Sequence, residues 1–142
     1  MAVIDTASEL AEIRGLVSTS LTAEELPDEV IQRDVYLGLA EMTILDRLNK
    51  SEAQFKAQTE DTQRPGKIAM KYETAINLIP SVDTLVGQTT FDRIIRLEEK
   101  DWTLKISEYN AIINFNVPPS SDAPTAAGVV GINVRQTTSR LD

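Results

Sequence analysis

The sequence predicts a mainly α protein. The expectation is a small helical bundle of four or five helices over residues 1–115, followed by an extended C-terminal arm, residues 116–142, that contains a short β-strand. Three observations carry this. Large apolar residues recur at spacings of three and four through most of the first 115 positions. Pro118, Pro119 and Pro124, with Ser120, Ser121 and Asp122 among them, then stop helix and favour a solvated, polyproline-like spacer. Finally, 142 residues suffice to bury one core without disulfides or a metal.

The first helix is read in "TASELAEIRGLVST", residues 6–19, where Leu10, Ile13, Leu16 and Val17 share a face. Thr6 or Ser8 can cap it, and Glu9 and Glu12 suit its positive end. The most strongly periodic segment predicts a long helix from about 27 to 48, with Pro27 at its first position. Its main apolar stripe is expected to comprise Val30, Ile31, Val35, Leu39, Met42, Leu45 and Leu48. Leu37 and Ile44 are expected to widen that stripe toward a second surface, which another helix or subunit would cover. Glu24, Glu25, Asp28 and Glu29 are read as partners of the helix dipole rather than as a metal site.

Residues 51–63 are expected to form a short solvated helix or turn capped by Ser51 and anchored by Phe55. "RPGK", residues 64–67, reads as a connector. It lacks the earlier glycine and the following Ser or Thr of a phosphate-binding loop. A helix from Lys67 to Ile79 follows, ended by Pro80. Segment 80–98 is compatible with helix or extended chain, because Phe91, Ile94 and Ile95 fit a helical face while Gly87 and the β-branched content permit a strand. Asp101 can cap a last helix whose face holds Trp102, Ile106, Tyr109, Ile112 and Ile113, with Trp102 as a core anchor.

Composition excludes several kinds of chemistry. The chain has no cysteine and no histidine, which removes thiol nucleophiles, disulfides, Cys/His zinc sites and the commonest general base. No cofactor is expected, and no enzyme. Carboxylates such as Glu98, Glu99 and Asp101 stand beside Lys100 as a solvated charge cluster, with no nucleophile or phosphate loop nearby. Asn49-Lys50-Ser51 fits a glycosylation acceptor, but no secretory signal accompanies it, so it reads as a helix end and a cap. No run approaches the roughly 18 to 20 apolar residues that span a bilayer, so a soluble protein is expected.

The net charge of −8 is unevenly placed. Residues 1–63 hold 13 acids and 5 bases, and residues 64–142 hold 9 of each. Such a surface disfavours direct nucleic-acid binding, which needs clustered lysine and arginine.

The order of features resembles the head-to-tail connector, or adaptor, proteins of tailed bacteriophages. The stretches that carry the resemblance are "LPDEVIQRDVYLGLAEMTILDRL", "AINLIPSV" and "KDWTLKISEYNAII", after a short first helix. It implies a structural protein of the virion neck, made in the host cytoplasm. It further implies a homo-oligomeric ring, typically a dodecamer, between the portal protein and a tail-side neck or terminator protein. DNA would pass through the lumen without specific binding. Twelve copies at −8 give a ring charge of roughly −96, and like-charge repulsion would keep DNA from adhering.

The resemblance also gives the arm a role, docking onto a neighbouring ring. Beyond the proline spacer, Val130, Ile132 and Val134 alternate with Gly131, Asn133 and Arg135, the period of a strand with one apolar face. Fully extended, residues 116–142 reach about 90 Å. Val129, Val130, Ile132, Val134 and Arg135 are therefore the candidate partner-binding residues, suited to joining the edge of a partner's sheet. The alternative functional reading is a small helical protein-binding or regulatory module.

Overall fold

A computed structural model gives the fold and describes residues 3–98 and 102–119. Thr6 opens helix α1, Ala7–Val17, through a capping box in which its hydroxyl accepts the Glu9 N–H at 3.1 Å while the Glu9 carboxylate accepts the Thr6 N–H. Gly15 has open space around it and marks no close packing.

The expected long helix at 27–48 is broken. Helix α2, Asp28–Ile31, ends at Gln32, and Arg33 takes an extended backbone with φ −60° and ψ 149°. A π-helical turn, Asp34–Gly38, follows and runs directly into α3, Leu39–Leu48. The break coincides with three successive polar residues, Gln32, Arg33 and Asp34, which offer the core nothing to hold. The wider π turn, where the Gly38 N–H reaches back to the Arg33 carbonyl, resets the helical register. Part of the expected stripe consequently leaves the core, while Ile31 stays buried and Val30, Leu45 and Leu48 pack against the core as expected. Tyr36, Leu37, Ala40 and Ile44 enter the core, whereas Val35, Leu39 and Met42 of the expected stripe are exposed.

Asn49, in the left-handed region at φ 58°, ends α3. Ser51 caps α4, Glu52–Lys56, by a second capping box, and Phe55 is fully buried, both as expected. The connector expected at 64–67 is instead helix. Thr59 accepts the Thr62 N–H and starts α5, Glu60–Leu78, seven residues earlier than the expected helix start at 67. Pro65 is carried inside its second turn. Gly66 is buried there because the Phe55 ring lies against it, and a Cβ at this position would stand 2.7 Å from a ring carbon.

A 3-10 turn, Ile79–Ser81, containing Pro80, leads into α6, Val82–Val86, and α7, Gln88–Glu98. Segment 80–98 is thus helical apart from Gly87, which separates α6 from α7 in a positive-φ conformation, φ 87°, that favours glycine. Helix α8, Trp102–Asn116, follows. Trp102 is partly buried against the core and stacks on Phe91 at a 6.4 Å ring separation. The expected Asp101 cap, the candidate carboxylate Glu99 and the whole of residues 120–142, with the expected strand, lie outside the described residues. The described residues form a mainly helical bundle of more, shorter helices than four or five.

Helix α5 is the axis of the bundle and packs against α1, α3, the π turn and α8. Its inward face is made of small or slender residues, Gly66, Ala69, Met70, Thr74 and Ala75, which let four neighbours approach closely. Fully buried Ile4, Ile13, Ile31, Ile44, Leu78, Ile94 and Ile113 fill the spaces between. Each such side chain stabilises the fold by about 1.5–3 kcal/mol. Among the described residues, no helix is long and apolar enough to cross a membrane.

Candidate functional site

The register change at Arg33 creates the most distinctive surface of the molecule. Val35, Leu39 and Met42, at helical spacing along the π turn and α3, are 63%, 48% and 61% exposed. Beside them runs a groove of about 580 Å³, whose apolar floor includes Leu39, Met42 and Leu45. Four carboxylates, Asp34, Glu41, Asp46 and Glu52, line it, against one lysine, Lys50. Exposed apolar side chains in a row, rimmed by charge, form a surface suited to binding another polypeptide.

Two of those carboxylates also hold the fold together. The Glu41 carboxylate accepts the buried Ile4 N–H at 2.8 Å and so pins the N-terminal segment onto α3. Burial pushes the Glu41 carboxyl up from the ordinary 4.5, helped by the nearby Glu52 charge and opposed by the Ile4 and Val3 N–H groups and by Lys56. Glu52 pairs with Lys56 at 2.9 Å, and that hydrogen-bonded ammonium holds its carboxyl below the usual range. What the groove offers is apolar contact and fixed negative charge.

A second exposed apolar group lies on α8, where Leu104 is exposed and Phe115 is 86% exposed. These residues lie 11 apart, three helical turns on one side of the helix. Between the groove and α8 stands Arg47, on α3. Its guanidinium donates to the Asn114 side chain at 3.0 Å and to the Val117 carbonyl at 3.3 Å. The chain therefore leaves α8 against the C-terminal half of α3, with Val117 itself buried.

Of the acidic cluster expected to serve the helix dipole, Asp28 and Glu29 stand in the first turn of α2 as expected, while Glu25 and Asp28 also make specific ion pairs. Glu25 forms a two-pronged pair with Arg93 of α7, at 2.6 and 2.8 Å, and Arg93 also donates to the Ser20 carbonyl. That hydrogen-bonded pair, together with the Thr22 backbone N–H, holds the Glu25 carboxyl at about 2. Asp28 pairs with Arg14, a buried residue of α1 that also donates to the Leu26 carbonyl at 2.7 Å. Both arginines tie the 18–28 connection to the helices, which a charge pattern alone does not reveal.

The candidate partner-binding residues Val129, Val130, Ile132, Val134 and Arg135 lie outside the described residues. Residue patterning missed the exposure of Val35, Leu39 and Met42. The signal available for it was the polar run Gln32–Asp34, which interrupts the apolar period. Compared with protein-family models, with curated proteins and with solved structures, the chain matches none.

Proposed function

We propose that the chain is a structural subunit of a phage head-to-tail connector, assembling as a homo-oligomeric ring between a portal protein and a tail-side neck or terminator protein. The observation that supports this best is the pair of solvent-exposed apolar groups on different helices, Val35, Leu39 and Met42 on one and Leu104 and Phe115 on the other. A closed ring joins unlike faces of successive subunits, so each subunit must present two distinct sticky surfaces. A concentration of negative charge in residues 1–63 fits a lumen that DNA traverses without adhering. Residues 116–142 serve as the arm that docks onto the neighbouring ring, through Val130, Ile132 and Val134.

Electron microscopy of the protein mixed with its portal tests this reading. Rings seated at the portal vertex are the expected outcome. A protein that stays monomeric at every concentration and with the portal present overturns it. The acid-rimmed groove beside α3 favours a second reading, a small helical binding module that takes one partner segment. That reading predicts a defined low-order complex in place of a ring.

A further inference from the structure

The groove beside α3 is an apolar surface in an otherwise well-packed bundle, and the molecule carries a segment that matches it. We propose that residues 129–135 of the same chain lie in this groove in the free subunit, covering Leu39 and Met42 until a partner displaces them. The proposal does not rest on the connector reading, since a monomeric binding module would gain the same cover.

Four features of the molecule point to this occupant. The first is where the described chain leaves the bundle. Arg47 holds the Val117 carbonyl against α3, and Arg47 directly follows Asp46, which lines the groove. Met42 lies five residues back along the same helix, about 7.5 Å away along the axis, and Leu39 about 12 Å. The second is length. Val130 lies eleven positions beyond Pro119, across a spacer whose extended reach is about 36 Å and whose relaxed span is about 18 Å. A link of that length places the segment beside its own groove at millimolar effective concentration, ahead of any neighbour at ordinary protein concentrations.

Spacing is the third feature. Val35, Leu39 and Met42 extend over about 10 Å of the helical face, and Val130, Ile132 and Val134 would occupy about 13 Å of an extended strand. Apolar row is therefore matched to apolar row. Charge is the fourth. The groove carries four carboxylates and one ammonium, while residues 125–141 contain Arg135 and Arg140 and no acid. The two arginines complement the carboxylates of the rim, and the pairing weakens with salt.

Because the chain has no cysteine, a single introduced thiol reports on the groove in the full-length protein. Met42→Cys places the probe on the groove floor, and Ala11→Cys places a control on the exposed side of α1. The expected result is alkylation of the Met42→Cys thiol at least about tenfold slower than the control, at a rate constant over a hundredfold range of protein concentration, as an intramolecular cover requires. Adding Ile132→Asp, or Arg135→Glu with Arg140→Glu, should restore the control rate, with the helical circular dichroism unchanged. Equal rates for the two thiols in the otherwise unaltered chain overturn the proposal. Protection that grows with protein concentration also overturns it, by showing that a second copy covers the groove. Protection that persists in both tail variants overturns it as well.

Discussion

Lys105 on α8 donates from its ammonium to the Val17 carbonyl, the last of α1, at 2.7 Å. Tyr109, one turn further along α8, donates its hydroxyl to the adjacent Leu16 carbonyl at 2.6 Å. Helix α8 thus caps the negative end of α1 with a cation and a hydroxyl, satisfying carbonyls that have no partner within their own helix. The Lys105 ammonium also lies over the Trp102 and Tyr109 rings, at 5.2 and 5.9 Å from their centroids. Lys105→Met keeps the aliphatic stem and removes the donor. It should lower stability by about 1–3 kcal/mol, the cost of leaving a buried carbonyl unmet, read as a lower urea midpoint at unchanged slope.

Gly66→Ala sets two effects against each other. Helix propensity favours alanine by about 1 kcal/mol inside α5. The new methyl, however, would meet the buried Phe55 ring at 2.7 and 3.0 Å and Leu48 at 3.3 Å. Overpacking of this kind costs about 1–3 kcal/mol, so the net change should be destabilising. Phe55→Leu in the same background should return part of the loss, and a double-mutant cycle by urea denaturation measures that coupling.

Acid response should divide by residue. Glu25 has its carboxyl held at about 2 by Arg93, against an ordinary 4.5. Its contribution to stability is present above pH 4.5 and is lost as pH falls toward 2. Glu9 shifts in the same direction, because its burial, which raises it, is outweighed by the Thr6 hydroxyl and backbone N–H together with the Lys67 and Lys71 charges. Burial shifts Glu41 and Glu73 the other way, with Arg47 opposing it at Glu73. Those two bind protons more readily in the fold, so their contribution rises as pH falls through their raised values. Glu25→Gln should flatten the loss of stability between pH 4.5 and 2, followed by urea denaturation across that range. Glu41→Gln retains an oxygen that can accept the Ile4 N–H, and should leave stability at neutral pH equal or higher while removing the gain on mild acidification.

Helix content was readable from apolar spacing, and residue type and position gave the Ser51 cap and, as one of two candidates with Ser8, the Thr6 cap. Where the reading failed, long-range packing decided against local preference. Pro65 and Gly66 together are strong turn signals, yet the pull of Phe55 on a side chain-free position and the Thr59 cap carry helix straight through them. At 27–48 the apolar period looked continuous because Val35, Leu39 and Met42 fit the same template as core residues. One extended residue, Arg33, and the π turn after it rotate that row outward. Periodicity alone cannot detect a register change whose cause is backbone geometry. The roles of the buried Arg14 and Lys105 and of the half-buried Arg93 were equally hidden, since each depends on a partner 12 to 88 residues away.

The changed facing of α3 makes the sharpest contrast available by substitution. Met42 and Ile44 are two residues apart, and the expected stripe placed Met42 on the main buried face with Ile44 at its margin. In the structure Met42 is 61% exposed and Ile44 is fully buried. Met42→Asp should therefore change stability by no more than about 0.5 kcal/mol. Ile44→Asp buries a carboxyl group where the core offers it no polar partner, and should cost on the order of 4 kcal/mol or more. Thermal and urea unfolding of the two variants measure this directly. Met42→Asp has a second expected effect, because it adds negative charge to an acid-rimmed apolar surface without disturbing the bundle. Partner binding through this face should fall at least about tenfold while the helical signal stays intact. A folded Met42→Asp variant that assembles as well as the unaltered chain would remove this face from the interface and leave Leu104 and Phe115 as the surface to test next.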